Sequence, residues 1–186
     1  VWADQLIAQI AADAHGCLRL ALETDFGSLF RTACERLQRV TGRQAEGDWY
    51  LAYAAAGDLG GNGATMHANL ARLAERGIGH LRLMLPHELN HQIYHGAHPG
   101  TPLSLVRAIV EEGFCCFVNW LCWGTHASPA SHADFAAGDW DWAVAHERQV
   151  IDSVLPQLDS TAWDRIKPYH QWHVYPWEGA ADRLAA

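Results

Sequence analysis

Positive charge is scarce in this chain: 13 Lys and Arg stand against 21 Asp and Glu, for a formal net charge of −8 over 186 residues. Nucleic acid and anionic membrane surfaces need a basic footprint, so neither is expected as a partner. Long apolar runs are missing too. The longest, Gly113 to Trp123, is broken by Asn119 and falls short of the ~20 residues that span a bilayer, so it reads as a buried helix and no membrane span is expected. No CxxC spacing accompanies the five cysteines, Cys17, Cys34, Cys115, Cys116 and Cys122. Their odd number and apolar surroundings argue for reduced core residues and, with them, a cytoplasmic location. Participation of Cys115 or Cys116 in a metal site lacks the usual paired spacing. Internal repeats, low-complexity tracts and linkers are absent from the sequence, which leaves one domain within the usual ~100 to 200 residues. The first residue is Val1 and not Met, so a longer natural chain or a removed signal peptide stays open.

What is present is histidine, 12 residues of it, and one arrangement stands out: His87-Glu88-Leu89-Asn90-His91, an HExxH pattern. Chance would supply it roughly 0.04 times in a chain of this composition. Residues four apart share one face of a helix, so His87 and His91 can both turn an imidazole toward one ion. Glu88 then stands beside that ion, placed to take a proton from water. Ile78, Leu81, Leu85, Leu89 and Ile93 recur at helical spacing; with Pro86 in the run, the helix either begins near Pro86 as its first turn or runs from about Gly79 with a kink there, the stripe favouring the second, and it ends near Gly96.

Two imidazoles need at least one further protein ligand. The next apolar helical segment, opening at Ser104, carries Glu111 and Glu112 among Leu105, Val106, Ile109, Val110, Phe114 and Phe117. Burying carboxylates there is costly, and holding a cation offsets the cost. Adjacent helical residues point about 100° apart, so only one of the two glutamates should face the ion.

HELNH followed after twenty residues by Glu112-Gly113-Phe114 resembles the gluzincin metallopeptidases, whose third ligand is a Glu on a second helix, as in the Asn-Glu-Gly-Phe-Ala signature of the aminopeptidase-N-like enzymes. LPHELNHQIYH together with AIVEEGFCCFV is similar to uncharacterised bacterial families of predicted zinc-dependent proteases. The resemblance covers about residues 48 to 123. It implies His87, His91 and Glu112 as ligands of one zinc per chain, Glu88 as general base, and a peptide or protein substrate. Glu111 is the competing third ligand; Glu112 is favoured because it directly precedes the Gly-Phe pair. A polypeptide-cleaving gluzincin also needs an oxyanion donor, commonly a downstream Tyr or His, for which Tyr169, His170, His173 and Tyr175 are the candidates. Zinc follows from ligand type, although iron, cobalt or nickel suit similar ligands.

Around this centre, Asp48-Trp-Tyr-Leu-Ala-Tyr-Ala54 reads as a strand and Gly57-Asp-Leu-Gly-Gly-Asn-Gly63 as a turn, with a second extended piece at about 64–68. Such a hairpin is either a substrate rim, holding extended peptide by strand addition, or an ordinary surface turn. Trp2, Leu6 and Ile10 mark one N-terminal helix. Leu29, Ala33, Leu37 and Val40 mark another, opened by Ser28 and closed by Gly42. Past residue 123, Trp140, Trp142, Trp163, Trp172 and Trp177 alternate with His126, His132, His146, His170 and His173, with helices expected at about 139–156 and 160–167. The expectation is a single α+β zincin-like domain over residues 1–186, a small antiparallel meander beside the HExxH helix and a glutamate helix, with additional helices at both ends. Two rival readings are a non-catalytic metal-binding sensor or pseudo-peptidase, which has no use for Glu88, and an all-helical protein with an accidental HELNH.

Overall fold

The computed structural model describes residues 2–53, 59–61, 64–124 and 137–170. In chain order the elements are α1 (Trp2–Glu23), α2 (Phe26–Thr41), β1 (Asp48–Ala52), β2 (Leu59–Gly61), β3 (Thr65–Asn69), α3 (Leu70–Arg76), α4 (Ile78–Ala97) and α5 (Leu105–Trp123). After these come α6 (Ala137–Ala145), α7 (Glu147–Val154) with a 3-10 turn at Leu155–Gln157, and α8 (Trp163–His170). The fold is α+β, mostly helical with one three-stranded sheet, which removes the all-helical reading. No helix among the described residues is long and apolar enough to cross a membrane.

The sheet corrects the expected antiparallel meander. β3 inserts between the other two strands, parallel to β1 from Asp48↔Thr65 to Ala52↔Asn69 and antiparallel to β2 from Leu59↔Ala68 to Gly61↔Met66. Parallel neighbours need a connection of about a dozen residues, and 53–64 is that long. Part of this connection is β2, so three residues expected in a glycine turn form an edge strand instead. The central place falls to β3 because it alone buries alternate apolar residues, Met66 and Ala68. Asn69 then caps α3, its Oδ1 accepting from the Ala71 N–H at 3.2 Å.

Local chemistry sets the helix ends. Asp25, not Ser28, caps α2: the Ser28 backbone N–H donates to Asp25 Oδ1 at 2.9 Å, which puts Ser28 inside the first turn. Gly42 closes the helix with φ 71°. In the first expected stripe, Ile10 proves exposed, while Leu20 of α1 meets the core. Ser104 caps α5, and the carbonyls of Ser160 and Leu158 take the Leu105 and Val106 N–H groups, both at 2.9 Å. The helix expected over 139–156 divides at His146, whose Nδ1 lies 2.8 Å from the Trp142 carbonyl and whose ring stacks on that indole.

Leu81, Leu85 and Leu89 of α4 enter the main core with Leu37, Ala68, Leu73 and Val118, and Ile78 and Ile93 flank it. The predicted stripe is therefore the face that seats α4. Pro86 lies inside the helix, where its missing N–H leaves the Arg82 carbonyl without its usual i+4 donor. One residue on, the Leu83 carbonyl receives the Trp123 indole N–H at 3.0 Å, a tie from α5 to the proline turn. On α5 the pattern reverses expectation. Its buried face is Leu105, Ala108, Glu111, Cys115, Val118, Asn119 and Cys122, whereas Val106, Ile109, Val110, Phe114 and Phe117 are exposed. The large apolar residues that seemed to surround the two glutamates mostly point away from α4.

Candidate metal centre

Helix α4 lies against α5, and the contact brings the HExxH residues to the two glutamates. Asn90, fully buried, fixes the helices to each other through its Nδ2, which donates to Cys115 Sγ at 3.3 Å. Helical spacing puts His87 and His91 on one face of α4, and their Nε2 atoms converge to 3.2 Å. Glu112 Oε2 stands 3.4 Å from His87 Nε2 and 3.6 Å from His91 Nε2. These three side chains form a group that can hold a metal ion. His87 is 1% exposed and Glu112 35%, so the group is anchored in the interior and opens on the glutamate side.

Each imidazole has a second nitrogen, and each of those is occupied. His91 Nδ1 is 2.8 Å from Glu111 Oε1. His87 Nδ1 faces the Cys116 thiol at 3.7 Å. Metal-binding histidines ordinarily give their other ring N–H to a carboxylate or carbonyl, which sets the tautomer and the ring's direction, and Glu111 occupies that place for His91. Neither Cys115 nor Cys116 belongs to a metal-holding group among the described residues. All five cysteines are free thiols.

A second His-His-Glu group shares His91 with the first. Glu111 Oε1 also lies 2.8 Å from His95 Nε2, so His91, His95 and Glu111 are near enough to hold an ion. Arg107 argues against one. Its Nη2 is 3.4 Å from His95 Nδ1 and its Nε 3.9 Å from Glu111 Oε2, which already places a fixed positive charge beside these donors. The separations of 2.8 Å are those of hydrogen bonds, and this group is better described as a clamp on Glu111.

The charges follow from these contacts. Burial works against charge on His87, but its hydrogen bonds to Cys116 and Glu112 outweigh that and push its pKa up to about 10. His91 rises well above its ordinary range for similar reasons, burial opposing and hydrogen bonds to Cys115, Glu111 and Glu112 prevailing. Two N–H groups cannot face each other across 3.2 Å, so at most one proton sits between the Nε2 atoms. Burial raises Glu112, yet its hydrogen bonds to His87 and His91 hold it well below the usual carboxylate range; Glu111 is lowered in the same way by His91. Both imidazoles thus favour protonation beside the Glu112 carboxylate, and a cation held by these three side chains would compete with protons for the same nitrogens.

Glu88 is buried at 7% exposure and belongs to neither group, consistent with a role other than ligand. Tyr169 and His170 fall in the last turn of α8, where only the backbone is described, and His173 and Tyr175 lie outside the described residues. Sequence reasoning missed His95 and Arg107. Their signal was available in spacing: His95 continues the i+4 series from His91, and Arg107 precedes Glu111 by four.

Comparisons with protein-family models, curated proteins and solved structures found no match.

Proposed function

We propose that this protein is a zinc-dependent hydrolase of peptide bonds, with His87, His91 and Glu112 as the metal ligands and Glu88 as general base. One observation carries the reading. Two donors bound to a zinc ion at about 2.0–2.1 Å in tetrahedral geometry stand about 3.3–3.4 Å apart, and the three donors here are separated by 3.2, 3.4 and 3.6 Å. They make one triangular face, which leaves a fourth position for water or substrate, as catalytic sites require.

A zinc ion held there supplies Lewis acidity, lowering the pKa of water toward 7 and polarising a carbonyl. The chain's own residues do the rest. Glu112 neutralises one unit of the ion's charge. His87 and His91 must present unprotonated Nε2 atoms, and the Glu111 carboxylate favours this for His91 by accepting a hydrogen bond from its Nδ1–H, which keeps the ring proton at Nδ1. Adjacent in sequence to His87 yet outside the ligand group, Glu88 accepts the water proton on its carboxylate and returns it to the leaving amine.

The alternative, a non-catalytic metal sensor, would keep the ligands and have no need of a base. Metal analysis of the untagged protein, paired with peptide-library digestion by wild type and Glu88→Gln, separates the two. About one zinc per chain with cleavage lost in the variant supports the hydrolase. Full zinc and no cleavage by wild type supports the sensor; less than about a tenth of an equivalent of metal removes both.

A further inference from the structure

Helix α5 is amphipathic in the reverse of the usual sense. Its inner face buries Glu111 and Asn119, while its exposed side chains are Val106, Ile109, Val110, Phe114, Phe117 and Leu121, each 36–53% exposed and none able to form a hydrogen bond. These positions recur at helical spacing, so they make one continuous stripe about four turns long. Gly113 is the remaining exposed residue of the helix and lies at the middle of the stripe. A surface helix ordinarily gives this side to polar residues. Single exposed apolar residues need no explanation, but a contiguous run of them marks a contact surface.

The shape of the stripe is as informative as its polarity. Glycine inside a helix is disfavoured against alanine, and a Cβ at position 113 would meet no atom within 4 Å among the described residues, so packing within the fold does not call for glycine there. Its missing side chain instead leaves a notch in the outer surface, beside the exposed rings of Phe114 and of Phe117, one turn on. Knob and notch on one face suit an isologous contact, in which the same patch serves both copies about a two-fold axis. Charge points the same way. Partners of different sequence are selected and set in register by complementary charges, and this stripe has none; pairing it with itself brings no like charges together, although the chain carries a net −8. Area agrees as well: at roughly 150–250 Å² per side chain the stripe presents on the order of 500 Å² per copy, and two copies face to face bury about 1,000 Å², where specific interfaces begin.

We infer that the outer face of α5 is the contact between two copies of this chain, paired about a two-fold axis near Gly113, with the phenylalanine rings of one copy seated over the glycine notch of the other. The metal centre lies apart from this contact. Glu112 is half-buried on the flank of α5, and His87 and His91 are on α4. The pairing therefore stands whether or not the centre is a hydrolase.

Sedimentation velocity of the untagged full chain, over about 1 to 100 µM, tests it; a dimer with a dissociation constant of about 10 µM or below is expected. Phe117→Glu and Val110→Lys each place a charge inside the contact and should weaken the dimer about a hundredfold or more, with circular dichroism and zinc content unchanged. Gly113→Ala fills the notch and should weaken it about tenfold; alanine is the better helix former, so that loss is not a folding defect. A chain that stays monomeric at about 100 µM overturns the inference, and so does a dimer indifferent to Phe117→Glu and Val110→Lys. A monomer that Phe117→Glu destabilises in urea would assign the face to a segment of the same chain, and a monomer that sediments with phosphatidylcholine vesicles would assign it to a lipid surface. Either result overturns the pairing of copies. Zinc content measured on the same preparations keeps this result apart from the fate of the metal centre.

Discussion

His91 belongs to two groups of identical composition, two histidines and one glutamate, and the two differ in almost everything else. On its Nε2 side the donors of His87 and Glu112 stand 3.2–3.6 Å away, with no arginine or lysine in the group. On its Nδ1 side Glu111 sits at 2.8 Å, shared with His95 and faced by the Arg107 guanidinium. The first spacing suits donors that point at a common centre. The second is that of donors and acceptors bonded to each other. Residue types alone therefore do not make a metal site; donor separation and neighbouring charge decide between an ion and a hydrogen-bond network.

The sharpest test of this contrast lies next to the Nε2 group. Glu88→Gln should keep about one zinc and the fold while peptide hydrolysis falls about 10²- to 10⁴-fold, the usual share of general acid–base catalysis. Loss of zinc in this variant would make Glu88 a ligand, and undiminished cleavage would remove its role as base.

Swapping the glutamates examines the two sides directly. Glu112→Gln should weaken zinc binding more than the roughly 10- to 100-fold expected when a supporting hydrogen bond is lost, and Glu111→Gln should fall within that range. Competitive chelator titration reads both. An equal effect, or a larger one from Glu111→Gln, would exchange the assignments of the two groups.

The pH response separates proton from metal at the same atoms. With its pKa raised from 6.5 to about 10, His87 contributes stability that is whole below pH 6.5 and disappears as pH rises through about 10. Glu112, lowered from 4.5, contributes stability that is whole above pH 4.5 and disappears in stronger acid. The metal-free protein should thus gain most from this pair between pH 4.5 and 6.5. Zinc competes with the proton, so the rise in Tm that zinc produces should grow from pH 6 to 9, by differential scanning fluorimetry at fixed free zinc, on the order of one decade of affinity per pH unit. A zinc effect independent of pH would place the metal elsewhere.

The smallest expected effect is a control far from both groups. Asp25→Ala removes the α2 cap and should cost about 1 kcal/mol in urea denaturation, with zinc binding unchanged. A change in zinc affinity would show that the centre responds to general destabilisation, and the glutamate comparison would then need correction for it.

Local rules were enough to read much of this molecule from its residues. The α4 stripe, the Gly42 stop and the pairing of His87 with His91 on one face all depend on contacts within about four residues, so spacing alone determines them. The place of β3 between β1 and β2 was not legible in this way, because sheet order is a long-range choice governed by which strand has apolar residues to bury on both sides of a pairing. Nor was the burial of Glu111 over its larger apolar neighbours, which follows from the rotation of α5 against α4. That rotation decided which glutamate meets the Nε2 atoms and which the Nδ1 atom. Helical spacing does not tell two carboxylates one residue apart from each other, and only the Gly-Phe pair after Glu112 favoured one of them; their contacts become different when a second helix presents one imidazole to both from opposite sides.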